Sequence, residues 1–152
     1  MLVIDYTSRC KNWNSRGNYS IKYIVIHATA GKFKSAVDWL CDKKSQVSAH
    51  YLISLEGVVV QLVNDINNAW HSGNSKMNRE SIGIELESYT GFTELTREQD
   101  CSLTRLIRTL MKRYNIPAEN LKMHREIKPT VCPINFDNNE WSDYVSSHFG
   151  NV

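Results

Sequence analysis

Residues 23–30 read Tyr23-Ile24-Val25-Ile26-His27-Ala28-Thr29-Ala30. Tyr23 to Ile26 is β-branched and apolar on both faces, which predicts a strand in the middle of a sheet covered on each side. The strand ends at His27, and the loop Ala28-Thr29-Ala30-Gly31 follows. An imidazole is thereby placed near the C-terminal end of a central strand.

The flanking patterns extend that strand into a fold. Ser35 to Lys44 spaces Val37, Leu40, Cys41 and Lys44 along one helical face, and Ser48 to Leu55 then reads as a strand that turns at Glu56-Gly57 into Val58 to Val63. Those two strands are expected to form a hairpin. Ser81 to Ser88 alternates, with Ile82, Ile84 and Leu86 on a packed face and Gly83, Glu85 and Glu87 on the other. Thr96 and Gln99 match a capping box, and Leu103, Leu106, Ile107, Leu110, Met111 and Tyr114 continue at helical spacing until Pro117 forbids more. Leu121 to His124 is a short strand, Pro129 and Pro133 bracket a rigid loop, and Asp137 with Glu140 caps a last helix carrying Trp141, Tyr144, Val145 and Phe149. Strands mixed with helices, a hairpin among them, predict an α/β domain with a central mixed β-sheet flanked by helices.

Composition sets the outer limits. A chain of 152 residues, 41% hydrophobic and 22% charged with only seven Gly and three Pro, is expected to fold as a single domain over 1–152 with its own core. The formal charge of +2 is spread along the chain, so no footprint for nucleic acid stands out. No apolar run approaches the roughly 20 residues of a membrane span, and Met1-Leu2-Val3-Ile4 is cut off by Asp5 before a signal-peptide core can form. Neither membrane insertion nor conventional secretion is expected. The four cysteines lack CxxC spacing, and whether Cys10 and Cys41 pair is open.

His27, His124 and Cys132 are the residues with metal chemistry, each at a strand end or in the loop just after one. Two imidazoles and a thiolate hold zinc while leaving a fourth position for water, as catalytic rather than structural zinc sites do. The plainer alternative makes His27 a hydrogen-bonded core histidine, His124 a solvated loop residue and Cys132 an ordinary buried thiol.

Five ordered strings add to this. They are residues 23–30, Val47-Ser48-Ala49-His50-Tyr51-Leu52-Ile53, Ala69-Trp70-His71-Ser72-Gly73, Ser81-Ile82-Gly83-Ile84-Glu85-Leu86-Glu87, and His124-Arg125-Glu126 followed by Cys132-Pro133. Together they resemble the zinc-dependent N-acetylmuramoyl-L-alanine amidases, a family that includes phage amidase-type lysozymes, wall-recycling amidases and peptidoglycan recognition proteins. The resemblance implies one Zn2+ ion on His27, His124 and Cys132, and hydrolysis of the amide between the lactyl group of N-acetylmuramic acid and L-alanine in peptidoglycan. It also implies Glu85 as the base that takes the proton of the attacking water. Glu87, on the same strand face about 7 Å along, is second choice or a partner to a cation in the substrate.

The chain departs from each branch it resembles. Where phage lysozymes carry a catalytic Tyr before the histidine of the second string, Ala49 stands; where they carry Lys two residues before the cysteine, Thr130 stands. Thr130 is favoured by position as the oxyanion donor, with Lys128 as the alternative from further along the loop. Cys132 sits where the recycling branch has Asp. His50, Trp70 and His71 are expected to line the substrate groove, against the alternative that Trp70 is core and His71 holds a loop. The function expected is a phage or prophage endolysin without a separate wall-binding domain, made in the cytoplasm and reaching the wall through a holin-type pore or from outside. The alternatives are a cytosolic muropeptide-recycling amidase and a peptidoglycan-binding module that has lost catalysis.

Overall fold

A computed structural model of the chain describes residues 2–91 and 93–150. Its first half runs β1 (Val3–Asp5), β2 (Trp13–Ser15), β3 (Tyr23–Ala28), α1 (Phe33–Cys41), β4 (Tyr51–Ile53), β5 (Val59–Gln61) and β6 (Asn67–Ala69). Its second half runs α2 (Ser75–Glu80), β7 (Ser81–Leu86), α3 (Arg97–Tyr114), β8 (Leu121–Met123) and α4 (Asn138–Phe149).

The six-stranded sheet has the order β1-β5-β4-β7-β3-β8. Only the β4–β5 hairpin is antiparallel; β1 with β5, β4 with β7, β7 with β3 and β3 with β8 are parallel. The expected mixed sheet is therefore present, with β3 flanked on both sides as its apolar run requires. Ile24, Ile26, Ile82, Ile84 and Tyr51 face α3 and α4, where Leu103, Leu106, Ile107, Leu110, Trp141 and Phe149 complete the larger core. Each aliphatic side chain buried in this way contributes roughly 1.5–3 kcal/mol before conformational entropy is counted. The Thr96–Gln99 capping box forms, with Gln99 N–H donating to Thr96 Oγ1 at 3.1 Å, and α3 stops at Asn115 in the left-handed region before Pro117.

The opposite face packs on α1 through Ala36, Val37, Leu40, Ala49, Leu52 and Val60, with Cys10 bonded to Cys41 across a Cα separation of 4.1 Å. The Gly83–Glu85–Glu87 face of β7 is covered as well: Gly83 is buried and Glu87 is only 6% exposed. Several bounds also contract: β4 and β5 are three residues each, α1 gives way at Asp42 to a short 3-10 turn, and His124 opens another turn immediately after β8.

Candidate metal centre and cleft

Strand register assembles the site before any loop does. Leu52 of β4 is opposite Glu85 of β7, and Glu85 is opposite His27 of β3. Ile26 pairs with Met123 of β8, so His124 follows next in line. One row across the parallel strands therefore carries Leu52, Glu85, His27 and His124 at their C-terminal ends, the edge where open α/β sheets hold their ligands. Cys132 reaches the same place from the Pro129–Pro133 loop, its sulfur accepting from Ala28 N–H at 3.3 Å.

The side chains converge. Ligating atoms of His27, His124 and Cys132 all lie within 4.8 Å of one another, and Cys132 Sγ is 3.9 Å from His27 Nδ1. In a tetrahedral zinc site such atoms stand roughly 3.5 Å apart, so the three are nearly in position. Each imidazole has its other nitrogen engaged: His124 Nε2 lies 3.1 Å from the Ser72 carbonyl and His27 Nε2 lies 2.9 Å from His71 Nδ1. Burial holds His27 well below the usual histidine range, with His124 adding to the effect, and burial lowers His124 as well. Burial thus favours the uncharged form of both rings, the form in which an imidazole can ligate a metal. Burial pushes the Cys132 thiol up to about 12, so a bound cation is what would draw its proton off. The donor set fits zinc.

Glu85 lies against this cluster, and its Oε2 is buried with no hydrogen-bond partner among the described residues. Desolvation alone raises its carboxyl to about 8. A cavity of about 290 Å³ opens here, with His27, Glu85, His124, Thr130 and Cys132 on its polar side. Ala36, Leu40, Val47 and Trp39 form its apolar side. Trp39 is 59% exposed, although α1 is otherwise amphipathic. Sequence reading missed this tryptophan; the available signal was an aromatic lying off the apolar stripe of the helix.

The remaining expected residues separate. Thr130 is in the cavity wall, and its hydroxyl oxygen accepts from Cys132 N–H at 3.2 Å, leaving the hydroxyl proton free to donate. Lys128 lies over the 73-loop instead, since a Cβ at Gly73 would meet its Nζ at 3.1 Å. His50 does not reach the cavity. It is fully buried, with Nδ1 accepting from Gly83 N–H at 3.0 Å and Nε2 3.2 Å from the Asn67 carbonyl. Trp70 is half-buried, and its indole N–H donates to Asn14 Oδ1 at 2.7 Å, away from the cleft. Glu87 accepts from Phe33 N–H at 2.8 Å and Leu55 N–H at 2.9 Å, so its carboxylate holds the start of α1 to the end of β4. His71 borders the cavity but sits behind His27. Of the three residues expected to line the groove, His71 borders the cavity, and α1 contributes Ala36, Trp39 and Leu40 to its lining.

Known proteins resemble this chain in sequence and in fold. The model of the N-acetylmuramoyl-L-alanine amidase family matches residues 17–135. The chain is 35% identical over 130 residues to N-acetylmuramoyl-L-alanine amidase AmiD of Escherichia coli (strain K12), covering 72% of this chain and 46% of that protein. It is 40% identical over 90 residues to 1,6-anhydro-N-acetylmuramyl-L-alanine amidase AmpD of Salmonella typhimurium, covering 55% and 48%. The chain thus spans about half the length of these curated relatives. Among solved structures, AmiD from E. coli in complex with anhydro-N-acetylmuramic acid-L-Ala-D-gamma-Glu-L-Lys aligns with TM-score 0.69 at 31% identity, over 86% of this chain and 60% of that one. A mutant endolysin from Bacillus subtilis aligns with TM-score 0.78 at 24% identity, over 96% and 97%, a likeness of fold.

Proposed function

This chain belongs to the N-acetylmuramoyl-L-alanine amidase family, and from that premise we propose that it hydrolyses the amide between N-acetylmuramic acid and L-alanine of peptidoglycan. The observation that supports this most is a single cluster: His27, His124 and Cys132 within 4.8 Å of one another, beside the unpartnered carboxylate oxygen of Glu85.

His27 Nδ1, His124 Nδ1 and Cys132 Sγ are the atoms that would hold one Zn2+ ion. Zinc at such a site supplies a Lewis acid and lowers the pKa of water toward about 7. A cation held by these ligands would favour the ionised form of Glu85, whose Oε2 then takes the proton of the attacking water and later returns it to the departing alanine nitrogen. The Thr130 hydroxyl donates to the carbonyl oxygen as negative charge builds there. Trp39 and Val47 form an apolar wall against which a sugar ring or lactyl methyl packs, while the polar side receives the amide.

We read the biological role as lytic, of the phage endolysin type. That reading rests on Cys132 as third ligand, where the recycling branch resembled by the sequence carries Asp. Rates on intact sacculi against soluble muropeptides separate the two roles.

The activity itself is tested by incubating peptidoglycan with the purified chain and measuring newly exposed L-alanine amino groups. The wild type is expected to release them, Cys132→Ala to lose both zinc and cleavage, and Glu85→Gln to keep zinc while turnover falls by about 10²–10⁴. Full activity in zinc-replete Glu85→Gln would remove Glu85 from the mechanism.

A further inference from the structure

We propose that His71 is a positioning residue that, together with Ser81, fixes the tautomer of His27 and so keeps His27 Nδ1 available to a metal. This inference rests on the metal reading above and goes beyond it to name what prepares one ligand.

The direction of each hydrogen bond follows from the far end of the chain. The Met77 carbonyl can only accept, and Ser81 Oγ lies 2.6 Å from it, so the hydroxyl proton is directed there. Ser81 Oγ is also 3.0 Å from His71 Nε2 and must accept from it, so the His71 proton is on Nε2. A neutral imidazole carries one N–H, which leaves a lone pair on His71 Nδ1. That lone pair accepts from His27 Nε2–H at 2.9 Å. His27 Nδ1 is then bare, on the side of the ring that faces Cys132 Sγ.

Two further features hold His71 in this position. Its ring lies on Gly83 so closely that a Cβ there would stand 2.5 Å from Cγ and 2.8 Å from Nδ1; any side chain at 83 would displace the ring. Asn78 Oδ1 accepts from the backbone N–H of His71 at 3.2 Å and of Ser72 at 2.8 Å, fixing the segment. His124 needs no such relay, because its Nε2 is turned directly to the Ser72 carbonyl. His27 is the ligand whose readiness depends on other side chains. Without the Ser81 acceptor, His71 is free to carry its proton on Nδ1, which forces the His27 proton onto the nitrogen that should ligate.

Zinc affinity, measured by competition with a chromophoric chelator, tests this in the full chain. Ser81→Ala, which touches no ligand, is expected to weaken zinc binding by about 10–100-fold, as is His71→Leu. His71→Asn, whose amide oxygen stands near the place of Nδ1, is expected to recover most of the loss. A wild type with tight zinc and equally tight Ser81→Ala and His71→Leu would overturn the inference while sparing the metal reading. A wild type that takes up no zinc would remove both. If the variants fail to fold, two-bond ¹⁵N–¹H spectra of the metal-free wild type remain: His27 and His71 are both expected as Nε2–H tautomers, and Nδ1–H on either overturns the inference.

Discussion

His50 shows how much a single residue in this molecule depends on staying uncharged. Gly83 N–H occupies its Nδ1 and the Arg16 guanidinium lies 2.9 Å from its Nε2, so a second proton would meet one donor and sit beside one cation. Burial, with Arg16 adding, lowers its pKa to about 4, although the Asn67 carbonyl and Asp65 pull the other way. An unfolded histidine titrates near 6.5. Stability is therefore complete above pH 6.5 and is lost as the pH falls toward 4, because the unfolded chain gains a proton that the folded ring refuses. The contribution is at most about 1.4 kcal/mol per pH unit. His71, lowered well below the ordinary range by burial and by neighbouring rings, acts with the same sign. Melting temperatures of the metal-free protein between pH 7 and 4 should fall less steeply in His50→Asn than in the wild type. Identical slopes would place the acid sensitivity elsewhere.

At the scale of elements, β7 is where sequence and structure agree and then part. Its alternation made Ile82, Ile84 and Leu86 legible as core, and they are fully buried. What alternation cannot show is that the other face is also covered, since a helix joined far away in sequence supplies the cover. For the same reason alternation alone does not separate Glu85 from Glu87; the family resemblance is what ranked Glu85 first. Two residues of strand put them on one side, yet Glu85 faces the cavity while Glu87 is buried under two backbone amides. Glu87→Gln turns an amide nitrogen toward one of those N–H groups, and is expected to cost about 1.5–3 kcal/mol, lowering Tm by roughly 5–10 °C. An unchanged Tm with a raised KM would return Glu87 to the cleft. The strings around the ligands were legible because each ligand has a local sequence context. β1, β2 and β6 were not, because three-residue strands carry too little periodicity to distinguish.

Across the whole molecule, the sheet does the gathering. Parallel β3, β7 and β8 bring His27, Glu85 and His124 into one row, and the loop after β8 returns Cys132 to Ala28 at the end of β3. Arg16 ties the segment before β6, α2 and the start of β7 together: it is 3% exposed and donates to the carbonyls of Asp65, Asn67, Asn78 and Ser81. Among the described residues no helix is long and apolar enough to cross a membrane. The central claim is that these distant segments hold one ion and leave it a position free for water. Anomalous diffraction at the zinc edge, on crystals of the purified chain, tests it most directly. The expected result is one peak bounded by His27 Nδ1, His124 Nδ1 and Cys132 Sγ with no fourth protein donor; a peak elsewhere, or a fourth side chain closing the ion, would contradict it.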